Sequence, residues 1–349
     1  MTETKETTKK QLIIFLLVAY GFTYVMGFLA WYGNSVQADL SAFPSAQMFY
    51  PAAGVMLAYL LTRRQDDLLP KWFYRCFIGV TFCMALLSVL SVAAPEQTVI
   101  LYETPVSLWA VLTQYVTIIG SILCLIPLLL SGKKRRGAYG LGWKNWKTSW
   151  FCILVFLILY FGRVFVAYAM EGQPGIMLEI FKNPATWGYL LFVPVNFFLA
   201  YAAFLGEEYG WRYYLQPLLQ KRFGMRRGVL LLGVIWGLWH IFLDFFYYTT
   251  PDQGLIMTVS QIITCLGLGI FFAWAYLKTG NIWVVVIMHY LNNNLTLVTA
   301  NNYSADILTN QQLSWSMIPS ALLLNGVVFG IFLLSREFRN DKPKAPDAF

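Results

Sequence analysis

Three charged side chains crowd into one of the most apolar parts of the chain. They are Glu207, Glu208 and Arg212, in the run Leu205-Gly206-Glu207-Glu208-Tyr209-Gly210-Trp211-Arg212. Glu208 and Arg212 are four residues apart, the spacing that stacks two side chains on one helix face and lets them pair. Glu207 points about 100° away, because a helix turns once in about 3.6 residues. One glutamate thus serves as the arginine's partner, and Glu207 faces elsewhere and can act. A carboxylate kept from bulk water takes up a proton readily, which suits a general base. A buried Glu-Glu-Arg network could instead do no more than hold helices together.

The chain has two histidines, and both lie in the same half as the carboxylates. His240 ends Trp236-Gly237-Leu238-Trp239-His240, and His289 opens His289-Tyr290-Leu291-Asn292-Asn293. A histidine among apolar residues is most often a satisfied core residue. Here, however, His289 and Asn293 fall at i and i+4 on one helix face. Two side-chain donors side by side are what an oxyanion hole needs.

The elements that carry these groups are apolar runs. The chain is 349 residues long, 58% hydrophobic and 12% charged, with mean hydropathy +0.58. Soluble domains carry about 25% charged residues. Runs of roughly 20 apolar residues, the length that spans a bilayer as helix, recur at 11–33, 45–62, 72–94, 107–131, 148–170, 186–206, 228–248, 255–277, 281–299 and 315–335. The fold class expected is therefore an all-α polytopic membrane helix bundle of about ten transmembrane helices. Basic and non-basic loops alternate along the whole chain, as the positive-inside pattern demands with both termini cytoplasmic. Counting about 1.5 Å per residue from the basic loops, Glu207 lies up to ~20 Å deep if its helix runs on to Lys221. Pro217 is expected to bend or end that helix. On the same scale His240 lies ~20 Å in and His289 ~12 Å. The three can overlap in depth, facing the cytoplasm.

The most basic linker, 132–147, divides the chain. Residues 1–131 read as an accessory bundle of four spans, and residues 148–335 as the working core of six. A polar tail, 336–349, reads as disordered. The net charge of +8 sits in short loops, so no nucleic-acid partner is expected. The five cysteines, Cys76, Cys83, Cys124, Cys152 and Cys265, form no Cys-x-x-Cys and read as small buried residues. The polar start lacks a cleavable signal pattern. Arg163 and Asp244, toward the outer ends of their spans, read as an ion pair or as snorkelling side chains.

Glu-Glu-x-x-x-Arg, then an aromatic-x-x-x-His, then His-x-x-x-Asn on successive membrane helices resembles the CPBP family, the CAAX proteases and bacteriocin-processing (Abi) intramembrane glutamic endopeptidases. The resemblance covers roughly 148–335. It implies that Glu207 with His240 activates the attacking water and that His289 and Asn293 stabilise the oxyanion. Glu208 and Arg212 would support and orient the site. The chain departs from the family at Trp236, where phenylalanine is common, and at Tyr213, where a small residue often follows the motif arginine. Neither is a reactive group, although Tyr213 could narrow the cavity. Two histidines and a glutamate can also ligate zinc. No His-Glu-x-x-His occurs, however, and the resemblance implies a metal-free mechanism without cofactor.

The expectation is an enzyme of the bilayer, in a bacterial inner membrane, open to the cytoplasmic side and acting on a peptide or lipidated protein. Prenylated CAAX proteins, bacteriocin or pheromone precursors and membrane regulators are all candidate substrates. The first four spans could recruit substrate, pair two copies of the chain or steady the core. Two other readings stay open: a non-proteolytic immunity or regulatory scaffold on the same fold, and a proton-coupled transporter.

Overall fold

The computed structural model describes residues 5–339 except 64, 102 and 304. Its elements, in order, are α1 (Lys5–Ser35), α2 (Ala42–Gln47), α3 (Tyr50–Thr62), α4 (Lys71–Ala93), β1 (Thr98–Leu101), β2 (Thr104–Ser107), α5 (Leu108–Leu130), α6 (Gly132–Ala138), α7 (Trp146–Met170), α8 (Ile176–Lys182), α9 (Pro184–Phe223), α10 (Met225–Phe246), α11 (Gly254–Thr279), α12 (Ile282–Thr299) and α13 (Trp315–Leu334). Apart from the antiparallel hairpin β1–β2, in which Thr98 faces Ser107, the described chain is helical. The protein is an all-α polytopic membrane bundle. Nine helices among the described residues are long and apolar enough to cross a bilayer. Their outward faces carry large apolar side chains such as Trp72, Leu130, Leu191 and Phe192. In lipid such faces need no further cover.

Of the ten apolar runs in the sequence, 45–62 takes a different form. It divides into α2 and α3, each shorter than a bilayer span, with a turn at Met48–Phe49. Pro51 sits in the first turn of α3. Its fixed φ and missing N–H suit a helix start and not an interior. From Tyr50 to Met56 every side chain of α3 is buried, the mark of a helix surrounded by protein.

A second difference concerns Pro217. It does not end its helix. Tyr209–Leu215 forms a π turn, after which Gln216–Phe223 resumes α geometry with Pro217 in its first turn, where a missing N–H is tolerated. Gly224, at φ 84°, ends the run.

By compactness the described residues divide into two units: 5–142 with 199–214, and 143–198 with 215–339. The middle of α9 therefore belongs with α1–α6, and its two ends belong with α7–α13. The tail begins as a 3-10 turn at Arg336–Phe338, tied by Glu337 to Lys278 at 3.2 Å. The rest of that tail, 340–349, lies outside the described residues.

Candidate active site

Glu207, Glu208 and Arg212 lie in the first unit, where α9 passes against the turn between α2 and α3. Gly206 and Gly210 are four apart and share one helix face. A Cβ on Gly206 would stand 2.3 Å from the Met48 carbonyl oxygen and 2.9 Å from the Phe49 Cα. One on Gly210 would stand 2.3 Å from the Pro51 Cβ. Only hydrogen fits at either place, and the two glycines bring α9 backbone to backbone with the α2–α3 turn. Glu207 is 3% exposed, while Glu208 and Arg212 are wholly buried. Arg212 Nε donates to Glu208 Oε2 at 2.9 Å, the pairing expected from their spacing. Both the arginine and the tyrosines flanking it sit in the π turn, a distortion frequent at functional sites.

Aromatic side chains brace that turn. The Tyr209 and Tyr213 rings stack at 4.4 Å with 9° between planes. Trp211 meets Phe15 edge-on at 5.9 Å. Tyr209 donates its one hydroxyl proton to the Tyr139 carbonyl at 2.9 Å. The 2.6 Å contact between the Tyr74 and Tyr209 hydroxyls must then have Tyr74 as donor. Beyond the membrane segments, Tyr139 donates to Asp66 Oδ2 at 2.5 Å. Burial, and after it the hydrogen bond to Asp66, hold the Tyr139 phenol well above its usual range, so it stays a donor.

His240, His289 and Asn293 lie in the second unit. α10 is regular to Leu238, turns at Trp239–His240, and resumes at Ile241. Gly233 and Gly237 again share a face, where added Cβ atoms would meet Leu266 at 2.8 Å and Ile262 at 2.7 Å. This small-xxx-small contact seats α10 on α11. His240 Nδ1 lies 2.9 Å from the Trp236 carbonyl oxygen. A carbonyl can only accept, so a neutral ring carries its proton on Nδ1 and has its lone pair on Nε2. The Trp236 ring is 6.3 Å from the His240 ring and 5.5 Å from the His289 ring, edge-on to the latter. Trp236 therefore touches both histidines from the position where phenylalanine is common.

α12 starts at a capped end. Asn281 Oδ1 accepts the Trp283 N–H at 3.1 Å, and Asn281 Nδ2 donates to the Lys144 carbonyl and to Ser149 Oγ. This fixes the start of the helix that presents His289, 5% exposed, and Asn293 one turn later. Asn292 Nδ2 donates to Asn293 Oδ1 at 3.1 Å.

Arg163 and Asp244 do not form an ion pair, the first of the two readings their positions allowed. Arg163 donates to Asn325 Oδ1 and, at 3.2 Å, to Asn292 Oδ1, and the Tyr160 and Phe329 rings lie 4.7 and 5.3 Å from it. Amide oxygens meet both terminal nitrogens of the guanidinium, and ring faces lie beside it, where one reading of the sequence had a carboxylate. Asp244 is buried one turn beyond His240, its backbone N–H donating to the His240 carbonyl at 2.9 Å.

Several of these groups escape a reading by spacing alone. Gly206 and Gly210 bracket the glutamates at i and i+4, a visible signal that points to close helix packing. Asn292 is hidden in the run Asn292-Asn293-Asn294. Nothing in the sequence ties Arg163 to it across 129 residues.

Comparison with known proteins places this region. Residues 185–295 match the family model described as type II CAAX prenyl endopeptidase, Rce1-like. The chain is 36% identical over 107 residues to CAAX prenyl protease 2 of Methanococcus maripaludis. That match spans 29% of this chain and 39% of the relative's length. No solved structure matches the chain. Residues 185–295 therefore carry a likeness to the CAAX prenyl endopeptidases, and the chain spans well under half of the curated relative's length. All six motif residues fall within that stretch.

Proposed function

We propose that the protein is a multi-pass membrane endopeptidase that hydrolyses prenylated substrates ending in a C-a-a-X sequence. The observation that carries this reading is the family match, which encloses Glu207, Glu208, Arg212, His240, His289 and Asn293 together. Glu207, with the Nε2 lone pair of His240, takes a proton from water as its oxygen attacks the scissile carbonyl carbon. The carbonyl π pair moves onto oxygen, where His289 and the Asn293 amide donate to the charge. The tetrahedral centre collapses, the C–N bond breaks, and the proton held by Glu207 and His240 passes to the leaving amine. The products are a carboxylic acid and an amine, which settle as a carboxylate and an ammonium group once the acid proton is passed on. Glu208, bound to Arg212 at full burial, keeps the α9 turn and hence Glu207 in place. No metal is required by this scheme. The active site opens to the cytoplasmic side of a bacterial inner membrane, where lipidated C-termini are held against the bilayer.

The test uses the purified full chain in proteoliposomes with two synthetic peptides of one sequence ending in C-a-a-X. One carries a farnesyl group on its cysteine and the other is bare. Mass spectrometry should find the farnesylated peptide cut within its C-terminal sequence and the bare peptide cut far more slowly. Equal cutting of both would reject the prenyl selectivity, and no cutting of either would reject the substrate class.

A further inference from the structure

The side-chain amide of Asn293 has a set orientation, and the residues that set it lie outside the three motifs. A guanidinium carries donors only. The end of Asn292 that meets Arg163 Nη2 at 3.2 Å must therefore be its carbonyl oxygen. The other end of Asn292 is then its NH2 group, which donates to Asn293 at 3.1 Å. The end of Asn293 that receives it must be oxygen. The NH2 group of Asn293 is thereby turned away from Asn292, with both protons available to another acceptor. Without Arg163 the two asparagine amides could flip together and reverse the order of donors.

Arg163 is itself held. It donates to Asn325 Oδ1 and lies over the Tyr160 and Phe329 rings. Asn325 spends its own NH2 on Thr264 Oγ1 at 3.1 Å, which leaves its oxygen for the arginine. Asn325 stands in a π turn of α13, and Gly267 of α11 lets the Asn325 carbonyl approach to where a Cβ would be 2.1 Å away.

We infer that Arg163 and Asn292 are positioning residues, a donor relay that points the Asn293 amide N–H groups at the oxyanion formed during peptide hydrolysis. The inference rests on the proposed function, in which Asn293 is an oxyanion donor. It gives a role to a half-buried cation in a membrane helix, where such groups are costly and functional by default.

The discriminating variant is Asn292→Asp. It keeps an acceptor for Arg163, in a stronger charged contact, but has no proton to give Asn293. The Asn293 NH2 group should turn toward the new carboxylate and away from the oxyanion. With the farnesylated C-a-a-X peptide, kcat should fall about 10²-fold, as for loss of one oxyanion donor, while KM and the thermal midpoint stay near wild type. Asn292→Asp combined with Asn293→Ala should be no slower than Asn293→Ala alone. A wild-type kcat in Asn292→Asp, or losses that multiply in the double variant, would overturn the relay. An inactive wild type, or an active Glu207→Gln, would strike the peptidase reading instead. The relay then has a readout that needs no turnover. In protein labelled with 15N-asparagine, the side-chain signal missing from Asn293→Ala should shift in Asn292→Asp, and an unmoved signal would overturn the relay.

Discussion

The glutamates and the histidine–asparagine pair are built by opposite means. Around Glu207 the chain relies on exclusion: glycines against backbone, a wholly buried ion pair, and stacked tyrosines in a π turn. Around Asn293 it relies on direction: a capped helix start and a chain of amides whose sense is set by one donor-only cation. The contrast follows the chemistry proposed for each side. A general base needs a dry place and a fixed position. An oxyanion donor needs its N–H groups aimed. Changes around the glutamates should therefore cost fold stability, and changes around the asparagines should cost turnover at little expense in stability.

The sharpest way to break the contrast is Arg212→Met. It strands the buried Glu208 charge and should destabilise the protein by about 3–5 kcal/mol, the cost of breaking a buried pair from one side. Thermal unfolding in detergent checks this, and adding Glu208→Gln should recover much of the loss. If the single variant melts like wild type, burial does not govern this region. Gly206→Ala comes next, at about 1–3 kcal/mol for overpacking against fixed backbone. Its control is Gly162→Ala, in α7, where nothing lies within 4 Å of the added Cβ and helix propensity should make the change neutral or stabilising by up to about 1 kcal/mol. Similar melting curves for both would remove the backbone contact from the account. Asn281→Ala, which uncaps α12, should lower stability by about 1 kcal/mol. The smallest effect expected is from Tyr74→Phe, which removes one donor to a tyrosine that keeps its own bond to the Tyr139 carbonyl. Chemical denaturation should register about 1 kcal/mol or less.

Much of this was legible in the sequence, because a bilayer constrains it strongly. Nine of the ten apolar runs are long helices, and the four-residue spacing of Glu208 and Arg212 gave their pairing directly. What escaped depends on which helix faces which. Run 45–62 looked long enough to span, yet Pro51 splits it and protein surrounds its second half. Pro217 read as a bend or an end of its helix; the helix does not end there, and a π turn before it places Pro217 in the first turn of the α segment that follows. One of the two readings of Arg163 paired it with Asp244, because opposite charges are what a sequence can match. Its partners are uncharged amides on two other helices, and no spacing rule reports them. The six motif residues stand out by type, but the groups that hold Asn293 do not.

The central claim is that Glu207 takes the proton from the attacking water. The direct measurement is turnover of the farnesylated C-a-a-X peptide by Glu207→Gln, a change that keeps shape and hydrogen-bonding reach but removes the base. The account predicts kcat lower by about 10²- to 10⁴-fold, the range for loss of a general base, with the thermal midpoint of the variant at or above that of wild type. Wild-type turnover by that variant would contradict it.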